Sequence, residues 1–173
     1  MTAIAKKVCL LGDFGVGKTS LVRRYVEGRF DDRYLSTVGV KISRKEVSHD
    51  TQKVQLIVWD VEGNTKFRGI APSYMQGAAA ALIAADVTRP DSIAFVLECL
   101  PQFLQINPKG TAAIALNKVD LLPAEAVQQQ IAQLQKDLSR PVLAILPTSA
   151  KTGLNVETAF AWLAGFSPQP QER

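Results

Sequence analysis

Residues 12–20 read GDFGVGKTS, a glycine-rich turn that closes on a lysine and two hydroxyls. The preceding KKVCLLG holds an apolar run without polar alternation, which predicts a short strand buried on both faces. From about Lys18 to Glu27 the spacing turns to that of an amphipathic helix. A strand, a turn fitting G-x-x-x-x-G-K-[ST] and a helix together make a cradle for phosphate. Glycines let successive N–H groups point inward, and the helix adds its positive N-terminal end. Gly12, Gly17, Lys18 and Thr19 stand at the defined positions. Lys18 is expected to reach the β- and γ-phosphates, and the Thr19 hydroxyl to coordinate Mg²⁺. The competing reading is a plain glycine turn with a solvated lysine.

Further along, 40–48 and 53–60 read as two strands joined through the polar SHDTQ as a hairpin, after a loop over 30–39. Residues 61–77 hold Gly63, Gly69, Pro72 and Gly77 and read as irregular, with one short helix. AAAALIAAD is ambiguous, since alanine favours helix, but its place between a loop and a helix argues for a strand. A helix over 91–106 places Ile93, Val96, Leu97, Leu100, Phe103 and Leu104 on one face, and Pro101 should kink or shorten it. TAAIAL at 111–116 and PVLAIL at 141–146 read as buried strands. Helices follow each, carrying Val127, Ile131, Leu134 and Leu138 in one case and Val156, Phe160 and Leu163 in the other. Strands alternating with helices predict an α/β domain over 1–166, a mostly parallel sheet covered on both faces. A short polar tail, 167–173, follows.

Composition narrows the function. With 47% hydrophobic and 21% charged residues, the 173-residue chain suits one soluble globular domain. Its net charge of +4 is scattered without a run of like charges, so no nucleic-acid partner is expected. The single His49 cannot build a histidine-based metal site, and Cys9 and Cys99 read as buried thiols in a reducing compartment. The run GAAAALIAADV is too short to span a bilayer, and no apolar stretch suits a secretory signal. The C-terminus carries no cysteine for prenylation, so a cytoplasmic monomer without an intrinsic membrane anchor is expected.

The base is suggested by NKVD at 117–120, which ends the strand TAAIAL. Ligands of open α/β sheets lie beyond the carboxyl ends of strands, so this loop shares a rim with the phosphate cradle. The Asp120 carboxylate can accept from guanine N1–H and the 2-amino group. Adenine offers neither donor on that edge, and such a polar mismatch costs a factor of about 10⁴. On its own, NKVD also reads as a strand end and turn.

With GDFGVGKTS stand YLSTVGV at 34–40, WDVEGN at 59–64, FRGIAPSYMQGA at 67–78, DVT at 86–88, NKVD, and TSAK at 148–151. In this order the chain resembles a Ras-superfamily small GTPase of the Rab type, over about residues 6–165. The resemblance implies a three-layer nucleotide-binding G domain, its six-stranded, mostly parallel sheet having one antiparallel edge strand. It also implies GTP and GDP as ligands and Mg²⁺ as cofactor. Phe14, Gly15, Val16, Gly17, Lys18, Thr19 and Ser20 would surround the phosphates. Phe30 would pack on the base and Lys118 along its other face, with Asn117, Asp120 and Leu121 in the same loop. Ser149, Ala150 and Lys151 would close the base pocket, the Ala150 N–H on the guanine oxygen. Thr37 would bind Mg²⁺ and the γ-phosphate, Tyr34 would cover the phosphates, and Asp60 would hold Mg²⁺ through water. The Gly63 N–H would meet the γ-phosphate. Lys18, Thr37, Gly63 and Asn64 are the implied catalytic set. Phe30 and Tyr34 also read as loop-anchoring aromatics, and Asp60 as a helix cap.

Three positions depart from the family pattern, all around the bond to be cut. Relatives carry Asp-x-Ala-Gly-Gln where this chain has Asp60, Val61, Glu62, Gly63 and Asn64. The family's glutamine orients the attacking water; Asn64 is one methylene shorter, and a displacement of about 1 Å can cost about 10²-fold. Glu62 brings an acid close to an anionic ligand. Phe14 replaces a small residue where an activator's arginine, worth about 10³–10⁵ in rate, must enter; the ring either obstructs that path or folds over nucleotide or loop. The expectation is a GTP-dependent switch with slow hydrolysis, binding effectors and regulators through 30–40 and 61–75. The alternative is a GTP-loaded scaffold that scarcely hydrolyses. An ATPase or kinase is opposed by Asp120.

Overall fold

The structure, a computed structural model, describes residues 3–33, 36–65 and 69–171. Six strands form one sheet in the order β2-β3-β1-β4-β5-β6. They are β1 (Ile4–Gly12), β2 (Val40–His49), β3 (Gln52–Val61), β4 (Ala80–Asp86), β5 (Thr111–Asn117) and β6 (Ile145–Pro147). The helices are α1 (Lys18–Glu27), α2 (Pro72–Met75), α3 (Pro90–Ile106), α4 (Ala124–Asp137) and α5 (Val156–Ala164), with a 3₁₀ turn at Val119–Leu121. Only β2 runs antiparallel to its neighbour; β1 pairs in parallel with both β3 and β4, and β5 with β4 and β6. The α/β architecture with one antiparallel edge strand is the one expected.

The central strands are apolar because both their faces are covered. β4 and the segment Val8–Gly12 of β1 are buried throughout, and the core divides into two clusters, one on each side of the sheet. On one side Tyr25 of α1 stacks on Phe160 of α5, ring centroids 3.9 Å apart, which fixes α1 and the turn that precedes it. On the other side Val96, Leu100, Phe103 and Leu104 of α3 are buried.

Two local expectations change. Pro101 does not shorten α3, which continues to Ile106. Its lost hydrogen bond costs about 3 kcal/mol; burial of the flanking Leu100, Phe103 and Leu104 offsets it. The last strand is not 141–146: regular pairing spans Ile145–Pro147, although Leu143 already donates to the Ala112 carbonyl. Pro141 has no N–H for the ladder, and Val142–Ala144 are only half-buried.

The functional consequence of the topology is that β1, β4 and β5 end on one rim. Gly12 pairs with Ala84, and Asp86 with Asn117. The turns after these three strands therefore meet.

Candidate functional site

The meeting point is a cleft of about 440 Å³. Its floor is the turn between β1 and α1. Gly17 is required there: φ is +97°, and a Cβ would lie 2.5 Å from Asn117 Nδ2. Lys18 is only 6% exposed, and its ammonium donates to the Asp13 carbonyl at 2.8 Å and the Gly12 carbonyl at 3.3 Å. Burial lowers its pKa to about 8, a shift partly opposed by the carboxylates of Asp60 and Asp13. The cation sits desolvated between two carbonyl dipoles, with the Asp60 and Asp13 carboxylates acting on it, a strong attractor for phosphate.

Beside Lys18, the Thr19 hydroxyl lies 2.6 Å from the Thr37 hydroxyl and donates to Asp60 Oδ2 at 2.6 Å. Asp60 is buried, which raises its carboxyl pKa, and its Oδ1 has no hydrogen-bond partner among the described residues. Two hydroxyls and an orphaned carboxylate oxygen suit a hard cation that takes oxygen ligands. Among the described residues no cluster of three or more His, Cys, Asp or Glu could hold a metal ion instead. The Thr19 and Thr37 hydroxyls and the Asp60 carboxylate fit magnesium.

At the opposite end, the NKVD loop and the loop after β6 lock together. Ser149 donates to Asp120 Oδ1 at 2.6 Å, and the Ala150 N–H donates to Asn117 Oδ1 at 3.2 Å. Asn117 Nδ2 donates to the Val16 carbonyl at 3.0 Å, and Lys118 Nζ to the Gly15 carbonyl at 2.9 Å. Lys118 also pairs with Asp86 at 2.6 Å. Burial raises the Asp86 pKa, but the bonds from Lys118 and Thr88 outweigh it, so the carboxyl titrates below its ordinary value. Phe30, half-buried on the core, faces the cleft, as do Leu121 and Lys151 at its rim.

The third wall carries the departures. Phe14, 47% exposed, lines the cleft with Glu62 and Gly63. The Phe14 N–H donates to the Asn64 carbonyl at 3.0 Å, and the Asn64 N–H to the Gly12 carbonyl at 3.1 Å. Gly63 is consequently pressed on the turn, where a Cβ would stand 2.8 Å from Lys18 Nζ and from Phe14 Cα.

Nearly every residue singled out from sequence gathers here. Gly15, Thr19, Ser20 and Thr37 line the cleft, while Val16 and Ser149 sit behind its wall, Val16 with its side chain in the core. Asn64 reaches the turn through its backbone, and its side chain does not line the cleft. Tyr34 falls outside the described residues. Glu62 is placed differently from a carboxylate aimed at phosphate alone: its Oε2 accepts from the Gly39 N–H at 3.1 Å. Sequence reasoning missed two arginines. Arg24 donates to the Ala150 carbonyl at 2.8 Å and also to the Lys151 carbonyl. Arg89 donates to the Phe14 carbonyl at 2.5 Å and to Asp13 at 2.7 Å. Neither lies in a phosphate or base motif, and only the folded chain brings them there.

The Ras family sequence profile matches residues 7–166. The chain belongs to the Ras family. It is 37% identical to the Ras-related protein Rab-22A of Homo sapiens over 156 residues, covering 89% of this chain and 79% of that protein. Rab-31 of Mus musculus is 36% identical over 170 residues, 96% of this chain and 86% of that protein. Rab5 of Nicotiana tabacum is 37% identical over 166 residues, 95% and 82% respectively. This Rab-like Ras-family protein is a GTP-binding GTPase. No helix among its described residues is long and apolar enough to cross a membrane.

Proposed function

We propose that the protein is a magnesium-dependent guanine-nucleotide switch whose hydrolysis step is slow. The observation that carries the slow step is Phe14, half-exposed on the cleft wall beside Gly63. A phenyl ring at that place narrows the approach both for water and for an activator's guanidinium, the latter worth about 10³–10⁵ in rate. Asn64 adds to it, since its amide is one methylene short of a glutamine's reach. A shift of about 1 Å is worth about 10²-fold.

In this reading Asp120 identifies the base, Ser149 orients that carboxylate, and Phe30 and Lys118 flank the ring. Lys18 and the inward N–H groups of residues 15–20 hold the phosphates, with Phe14 at the edge of the turn. Thr19 and Thr37, with Asp60 behind them, would hold magnesium, which when bound would supply positive charge against the phosphates. Thr37 and the Gly63 N–H meet the γ-phosphate, so that residues 30–40 and 61–75 are ordered by GTP and released after hydrolysis. Effectors and regulators read that difference. The working unit is a monomeric cytoplasmic domain over residues 1–166, with 167–173 as its tail.

Single-turnover hydrolysis tests the slow step. The wild-type rate is expected to fall about 10²-fold below that of a Phe14→Gly/Asn64→Gln double variant; equal rates contradict the proposal. The docking of Asn64 on Gly12 and Phe14 also favours a second reading, a scaffold that stays loaded with GTP. Nucleotide carried through purification separates the two: GTP supports the scaffold, GDP the switch.

A further inference from the structure

A phosphate cradle works only if successive peptide planes turn their N–H groups inward. Each peptide is planar and trans, so its C=O points opposite to its N–H. Fixing a carbonyl on the outer side therefore aims the next residue's N–H toward the inner side. Three consecutive carbonyls of this turn are fixed by side chains from outside it. Val16 accepts from Asn117 and Gly15 from Lys118, both belonging to the base loop. The carbonyl of Phe14 is taken by Arg89 of the β4–α3 turn.

Arg89 is well built for that task. It immediately precedes Pro90, which excludes the helical conformation and leaves Arg89 extended, with φ −126° and ψ 98°. Its N–H donates to the Asp86 carbonyl and its own carbonyl accepts from Ser92, so the stem is held at both sides. The guanidinium fork spans the Phe14 carbonyl and the Asp13 carboxylate, and touches Asp91 at 3.2 Å. Asp13 and Asp91 balance its charge, so its effect on phosphate is one of geometry more than of long-range attraction. Gly15, which follows the fixed carbonyl, has φ +72° and stands within 3.6 Å of Arg89 when given a Cβ. Its backbone has the freedom that makes an external clamp necessary.

We propose that Arg89 is a positioning residue for nucleotide binding: held on the Phe14 carbonyl and Asp13, it sets the Phe14–Gly15 peptide and so aims the Gly15 N–H at the phosphate chain. The inference rests on the phosphate-binding turn alone and is independent of whether hydrolysis is slow.

The test is GDP dissociation together with the ³¹P spectrum of bound GDP, for Arg89→Ala and Arg89→Lys. Loss of a charge-assisted hydrogen bond at the clamp should speed GDP release about tenfold in Arg89→Ala. Arg89→Lys keeps the charge but cannot span both acceptors as a planar fork, so it should recover only part of the loss. A clamp acting through the Gly15 N–H also moves the β-phosphorus resonance more than the α. A merely structural arginine would lower the melting temperature while leaving release and spectrum unchanged, and that result overturns the proposal. If Arg89→Ala does not fold, Arg89→Lys decides: faster release with a moved β resonance supports the clamp, and wild-type values in both refute it.

Discussion

The two ends of the cleft are built by opposite rules. At the base end, Asn117, Lys118, Asp120, Ser149 and Ala150 match the family motifs and are held by side-chain hydrogen bonds: Ser149 to Asp120, the Ala150 N–H to Asn117, and Lys118 to the Gly15 carbonyl of the phosphate turn. At the cleavage end, Phe14, Glu62 and Asn64 all depart from the pattern, and Asn64 is held through its backbone to Gly12 and Phe14, while Glu62 meets Gly39 through both its backbone N–H and its carboxylate. Binding depends on fixed donors and acceptors whose loss leaves buried polar groups unpaired, so that end tolerates little change. Hydrolysis depends on placing one water, and it can be slowed by side chains that leave the fold and the affinity intact. The difference teaches that recognition and turnover are separable in this fold.

The comparison is most sharply exposed by Asp120→Ala. Removing the carboxylate that would pair with two guanine donors should weaken GDP binding by about 10⁴-fold in calorimetry; a loss under tenfold would deny the base end its role. Next comes Asn64→Gln, which should raise the single-turnover rate by up to about 10²-fold while leaving GDP affinity unchanged. An affinity change of similar size would merge the two ends. Asp86→Asn probes the support behind Lys118. It should destabilise the fold by about 1–3 kcal/mol near neutral pH, measured by denaturant unfolding. Because the folded-state pKa of Asp86 lies below its ordinary value, its contribution is full above the unfolded pKa of about 4 and fades as pH falls through the folded one. The gap between wild type and variant should therefore shrink on acidification. The smallest effect belongs to Glu62→Ala: freeing the Gly39 N–H should speed its hydrogen exchange about fivefold, the equivalent of about 1 kcal/mol.

Much of this was legible in the sequence because the decisive groups are local. The cradle needs only a buried strand, a glycine turn and a helix start in succession, and VCLL, GDFGVGKTS and the amphipathic segment after it supply them within one short stretch. The base end was legible because Asn117 ends a strand whose neighbours are fixed by apolar runs, and Asp120 lies in the turn directly after it. What escaped depends on long-range packing. Pro101 read as a helix breaker, yet three buried side chains beside it carry α3 through. The strand PVLAIL read by composition alone, while its pairing with β5 begins regularly only at Ile145. Arg89 lies 76 residues from Asp13 and Arg24 126 from Ala150, and no spacing rule joins them. Glu62 was visible as an anomaly, but its bond to Gly39 needed the β2–β3 pairing.

The most direct test follows one loaded GTP molecule to its fate. The protein is filled with γ-labelled GTP and magnesium, chased with unlabelled nucleotide, and sampled for bound label and released phosphate. A sound base end with a slowed cleavage end predicts that label leaves mostly as intact GTP or stays bound as GTP. Prompt release of labelled phosphate, with GDP left in the cleft, would contradict that account.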